Sequence, residues 1–119
     1  MSKRHDKFLI CDMLVACKKI LEHSQDISFE SFLSDTWNID AFVRNIEIIG
    51  EAACKISEEL KTRYSHIQWK HICATRNRLI HGYFDIGFHI LFDIIINEIP
   101  KLYHDLKDIL KAEGWECDI

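Results

Sequence analysis

Apolar residues recur along this chain mostly at three- and four-residue steps, the period of an amphipathic helix that buries one face. The clearest run is Phe42, Ile46, Ile49, Ala53, Ile56 and Leu60, stepping by four, three, four, three and four residues. Such a heptad-like stripe predicts a buried helix seam over about 39–61. Upstream, Phe8, Cys11, Val15, Ile20 and Leu21, with polar residues between them, predict a first helix over 4–23. Ser28 stands before Phe29, Phe32 and Leu33 as a capping residue ahead of a short second helix. Tyr64, Ser65 and His66 interrupt the pattern, and a helix resumes near Gln68 or Trp69 with Ile72, Cys73, Leu79 and Ile80 as apolar members. Gly82 is placed to end it, because glycine accepts the left-handed conformation that closes many helices. Asp85 is placed to cap a last long helix reaching about Leu110, with Phe88, Leu91, Phe92, Ile95, Ile99, Leu102, Leu106 and Leu110 as its apolar positions. Pro100 lies inside that stretch and predicts a kink or a division.

Five helices, one of them short, imply an all-α protein: an antiparallel four- or five-helix bundle. Four Gly and one Pro among 119 residues argue against a loop-rich or all-β chain. That length fits a single domain, 1–119, with a tail over 113–119 expected to fray. The heptad seam suits packing within one chain or across a homodimer. The start of the chain is too polar for a secretory leader, and the apolar run Ile94, Ile95, Ile96 is bounded by Asp93 and Asn97, so no membrane span is expected. Five Cys, an odd number with no CxxC pair, fit reduced thiols in the cytoplasm better than a disulfide framework.

A net charge of −4 weighs against broad nucleic-acid binding, since Lys and Arg neutralising phosphate supply most non-specific affinity. Any contact with RNA is therefore expected to be local, or shared with a partner. The candidate chemistry lies in Arg76-Asn77-Arg78-Leu79-Ile80-His81-Gly82-Tyr83. Attack of a ribose 2′-hydroxyl on the adjacent phosphate needs proton transfer and stabilisation of a negatively charged phosphorane. Histidine transfers protons near neutral pH. Arginine is a permanent cation whose planar fork matches two phosphate oxygens. Asn77 can donate to a phosphate or hold the imidazole tautomer, and this route requires no metal and no cofactor.

Helical geometry constrains the arrangement. At about 100° per residue, Asn77 and His81 share a face, whereas Arg76 and His81 point roughly 140° apart. Three arrangements relieve this: the arginine curls round, the helix ends near His81, or two copies of the motif meet at a twofold axis. The third is favoured, with help from the other two. A histidine beside a glycine at a helix end is also an ordinary terminal cap. Arg44, Glu47 and Glu51 form an ion-pair row on one helix edge. His66 and His71 lack companions at zinc-ligand spacing. Trp37, Trp69 and Trp115 are not interleaved with basic residues, and the four glycines are isolated, so neither a base-stacking platform nor a phosphate loop is indicated. Cys73, three residues before Arg76, reads as a packed thiol rather than a reactive one.

The segment 76–83 resembles the Arg-x4-His-x-Tyr signature of HepT-type proteins in the HEPN superfamily. Arg44-Asn45-Ile46-Glu47-Ile48-Ile49-Gly50-Glu51-Ala52-Ala53 resembles the helix upstream of that family's site, Ile67-Gln68-Trp69 its lead-in, and Ile99-Pro100 its last-helix proline. The resemblance covers roughly 38–110. It implies an all-helical homodimeric ribonuclease, the toxin of a toxin–antitoxin pair, cutting tRNA or mRNA with Arg76 and His81 of both subunits. It also implies a partner, a minimal nucleotidyltransferase of the MNT type, that neutralises the toxin by transferring AMP to Tyr83. Asn77, Arg44, Glu47 and Glu51 become supporting residues of the site. The alternative is a non-catalytic dimeric helical module that grips a nucleotidyltransferase or a nucleotide.

Overall fold

The computed structural model describes residues 4–83 and 85–118, and every element among them is helical. In chain order these are α1 (Asp6–His23), α2 (Phe29–Ser34), α3 (Thr36–Lys55), α4 (Glu58–Arg63), α5 (Trp69–Leu79), α6 (Phe88–Asp93), a π-helical turn (Ile94–Glu98) and α7 (Ile99–Glu113). No helix among the described residues is long and apolar enough to cross a membrane.

Helix α3 is the central element, packed against α1 on one side and α5 on the other, while α7 covers α1. Its buried positions include Ile39, Phe42, Val43, Ile46, Ile49 and Ala53, the expected stripe. Leu9, Ile10, Met13, Leu14, Cys17 and Ile20 of α1 close over that stripe, and Leu102, Leu106 and Ile109 of α7 join the same core. The short α2 begins as the sequence predicts: Ser28 Oγ accepts the Ser31 amide at 3.0 Å, and Ser31 Oγ accepts the Ser28 amide at 3.1 Å. Phe32 anchors it, fully buried between Phe42 and Phe92.

Several expectations are corrected. The seam over 39–61 is two helices, because the chain leaves the α conformation at Ile56, and Ser57 caps α4 by accepting the Leu60 amide at 3.2 Å. Asp6, at the start of α1, accepts the Ser57 amide at 3.0 Å, which ties that break to the first helix. Asp85 does not cap the last helix. Gly87 precedes it instead, at a φ of 85° that L side chains rarely adopt. The last stretch is divided as expected, into α6, the π turn and α7, but the division falls just before Pro100. Pro100 sits in the first turn of α7, directly after the π turn, where the Ile99 amide reaches back five residues to the Ile94 carbonyl.

The tail leaves the helix after Glu113, with Ile119 outside the described residues. Its Trp115 packs on the core and meets His5 edge-on at 5.6 Å. Nor are all five thiols free: Cys11 is joined to Cys117 and Cys54 to Cys73, leaving Cys17. The partners lie 106 and 19 positions apart in sequence and meet only through tertiary packing, so no local spacing announces them. Burial pushes the Cys17 thiol up to about 12. At the junction of α4 and α7, Glu113 accepts hydrogen bonds from Tyr64 Oη at 2.6 Å and Arg63 Nη1 at 2.7 Å. The tyrosine hydrogen bond, reinforced by the guanidinium, holds the Glu113 carboxyl below the usual carboxylate range.

Candidate active site

Helix α5 carries the signature arginine, and a glycine on α3 decides how close the two helices come. A methyl group built on Gly50 would overlap Arg76 Cβ, lying also 2.9 Å from Arg76 Cγ and 3.2 Å from the Ile72 carbonyl oxygen. Only a residue without Cβ lets α5 lie this deep. Cys54, one turn along α3, is bonded to Cys73 of α5, with their Cα atoms 5.3 Å apart. As α3 numbering falls from Cys54 to Gly50, its contacts on α5 rise from Cys73 to Arg76, so the helices run antiparallel.

Arg76 is half-buried in that seam. Its Nη2 lies 3.5 Å from Cys54 Sγ, and its buried Nε has no hydrogen-bond partner. Sulfur is a weak acceptor, so a cation with five N–H donors is poorly satisfied here. No carboxylate pairs with it among the described residues. The acids on α3 are engaged elsewhere: Arg44 Nη1 lies 3.6 Å from Glu47 and 3.8 Å from Glu51. The Arg44 side chain is largely exposed, so this is the ion-pair row on the helix edge, on the same helix as Gly50.

The end of α5 releases His81 from helical phase. The helix stops at Leu79, and the following amides bond three residues back: His81 to the Arg78 carbonyl at 3.4 Å and Gly82 to the Leu79 carbonyl at 2.9 Å. Gly82 has a φ of 103°, which fulfils its expected role as terminator. His81 and Asn77 are both exposed. No hydrogen bond or ion pair joins Arg76, Asn77 and His81 among the described residues. Arg78 takes a structural part that the sequence did not mark: its Nη2 donates to the Asp85 carbonyl at 3.2 Å and braces the loop after α5. Within that loop the Tyr83 carbonyl accepts from the Ile86 and Gly87 amides, both at 3.2 Å. The half-buried Tyr83 ring packs toward Phe88 at 5.8 Å.

A groove of about 200 Å³ opens elsewhere, between α5 and the π turn, with Ile46, Ile49, Ile72 and Leu102 among its walls and a His71–Glu98 contact of 2.7 Å at its rim. It contains none of the signature side chains. A polymeric phosphodiester needs an open charged surface more than an enclosed apolar pocket, so the signature is the better marker of the site. Among the described residues, no three His, Cys, Asp or Glu side chains group to hold a metal ion.

Two features were missed in the sequence, Gly50 and the Cys54–Cys73 pair. The run Gly50-Glu51-Ala52-Ala53 is a small-residue signal of close helix approach, but nothing in it names the partner helix.

Comparison with known proteins bears directly on this geometry. Residues 13–109 match the family model described as ribonuclease HepT-like. The chain is 40% identical, over 85% of its length and 90% of the relative's, to "Putative RNase TTE0752" of Caldanaerobacter subterraneus subsp. tengcongensis. It is 35% identical to "Probable ribonuclease HepT" of Thermococcus cleftensis, over 92% of this chain and 99% of that one. A protein of Methanocaldococcus jannaschii, "Putative RNase MJ0127", is 33% identical over 93% and 92%. No solved structure matches.

Proposed function

Because the chain belongs to the HepT-like ribonuclease family, we propose that it is a metal-independent endoribonuclease whose site is shared between two subunits and which serves as the toxin of a toxin–antitoxin pair. The observation that supports the site is the under-bonded Arg76 guanidinium, five residues before an exposed His81 that makes no hydrogen bond or ion pair with it among the described residues. A twofold axis would bring both pairs to one phosphate.

In this reading a His81 imidazole takes the proton of the ribose 2′-hydroxyl as the oxygen bonds to phosphorus. The P–O5′ bond breaks, and a protonated imidazole supplies the leaving oxygen with its proton. Arg76 holds the non-bridging oxygens as their charge grows, an electrostatic contribution that is largest in the transition state. Asn77 lies on the exposed side of α5 within reach of a docked backbone, and Arg44, Glu47 and Glu51 support the helix on which Gly50 and Cys54 sit. The products are a 2′,3′-cyclic phosphate and a 5′-hydroxyl. If the site is composite, specific activity falls in proportion to dissociation when the protein is diluted below its dimer Kd. Specific activity that stays constant while sedimentation reports monomer would remove the composite site.

Control is assigned to Tyr83. A minimal nucleotidyltransferase of the MNT type would transfer AMP from ATP: the tyrosine oxygen bonds to the α-phosphorus, pyrophosphate leaves, and the phenolic proton is lost. The added phosphate and adenosine would bring negative charge and bulk two residues from His81, where substrate phosphate must sit. Incubation with that partner, ATP and magnesium is expected to add AMP masses that map to Tyr83 and to silence cleavage. An unchanged mass with a demonstrably active partner would leave occlusion as the means of neutralisation.

A further inference from the structure

The Cys54–Cys73 bond lies beside the arginine on which the ribonuclease reading depends. It joins α3 to α5 one turn from the Gly50–Arg76 contact, and Cys54 Sγ is the only hydrogen-bond partner of the Arg76 guanidinium among the described residues. Both cysteines are half-buried and within reach of small reagents, whereas Cys17 is sealed in the core. The other disulfide, Cys11–Cys117, joins α1 to the tail.

We propose that Cys54 and Cys73 are positioning residues of the ribonuclease site: their disulfide holds Arg76 for phosphate, and its reduction by a dithiol weakens that hold. The inference rests on the ribonuclease reading and goes beyond it to a redox control of the same site. In the oxidised protein the neutral sulfur is a weak acceptor, which leaves the guanidinium charge for a phosphate oxygen. A dithiol reductant donates two electrons and two protons. The S–S bond breaks, Cys54 and Cys73 become thiols, and the reductant closes to its own disulfide. The guanidinium then faces a thiol whose ionisation it favours, and the resulting thiolate competes with phosphate for the same N–H donors. Loss of the cross-link also frees α5 to shift against α3, and small displacements of a catalytic group are costly.

The test compares RNA cleavage by the full-length protein before and after treatment with dithiothreitol, with thermal melting followed in both states. The expected result is a fall in kcat of about tenfold with KM little changed, the mark of an interaction made in the transition state. The Cys54→Ala, Cys73→Ala double variant should be indifferent to reductant, and the Cys11→Ala, Cys117→Ala variant should keep the full response. The residual activity of Arg76→Ala, which has no cation to displace or to engage a thiolate, should not respond, which a general loosening of the fold would not reproduce. An unchanged or raised kcat on reduction overturns the proposal. So does a response that follows Cys11 and Cys117, or one that persists in Arg76→Ala. His81-dependent cleavage indifferent to reductant removes this inference alone, whereas absence of His81-dependent cleavage in either state removes the ribonuclease mechanism with it.

Discussion

Replacing His81 or Arg76 with alanine is expected to lower RNA cleavage by about 10²–10⁴-fold, the range in which single proton-transfer groups and charge-stabilising donors act. The two substitutions differ in what else they disturb. His81 is exposed, and among the described residues it bonds only through its backbone amide, so His81→Ala should leave the unfolding free energy within about 0.5 kcal/mol of the parent. Arg76 lays its stem against Gly50, so Arg76→Ala also opens a gap in the α3–α5 seam. Arg76→Lys keeps charge and most of the stem while losing the planar fork, and it should still fall well below the parent rate. Initial rates on tRNA and mRNA in the presence of EDTA, for parent and variants, provide the check. Equal cleavage by all of them would sink the mechanism.

Gly50→Ala should be the more damaging change per atom added. One methyl group has no space, since it would overlap Arg76 Cβ and press on the Ile72 carbonyl. Overpacking of this kind costs about 1–3 kcal/mol, against which alanine's better helix propensity returns up to about 1 kcal/mol. The net result expected from urea unfolding is a less stable protein. The larger effect should be on rate: α5 must move away from α3 and carry Arg76 with it, and a misplacement of about 1 Å can cost about 10²-fold. A Gly50→Ala protein with parental stability and parental activity would mean that the α3–α5 approach does not position the arginine.

Much of the fold could be read from periodicity because α3 and α1 bury one continuous face each, and a single repeating stripe leaves little ambiguity. The Ser28 cap and the Gly82 terminator were equally legible, since each acts on its own neighbours in sequence. What stayed hidden depends on partners far away along the chain. The break at Ile56 lies within an unbroken apolar rhythm, and it is marked only by Ser57 followed by two acids, a cap signature overshadowed by the stripe around it. The two disulfides are invisible to local spacing. Asp85 looked like a cap by composition, but the loop's geometry gave that place to a glycine with positive φ. For the proposed site, the residues assigned charge and proton chemistry were evident from type and from family resemblance. The residues that hold them, Gly50 and the Cys54–Cys73 pair, emerge only when α5 is laid on α3.

The π turn before Pro100 has a consequence for how the chain can vary in length. Between Leu91 and Leu106 the buried positions are Ile94, Ile95, Ile99 and Leu102, with Leu91, Ile95 and Ile99 spaced four apart. Two successive four-residue steps overrun the α-helical period, and the wide turn absorbs the excess. The stretch thus behaves as a regular helix into which one residue has been inserted, and Asn97 and Glu98 of that turn line the groove. Deleting one residue there is expected to return the stretch to ordinary α-helical turns. What the wide turn sets is the placement of Glu98, 2.7 Å from His71 at the groove rim.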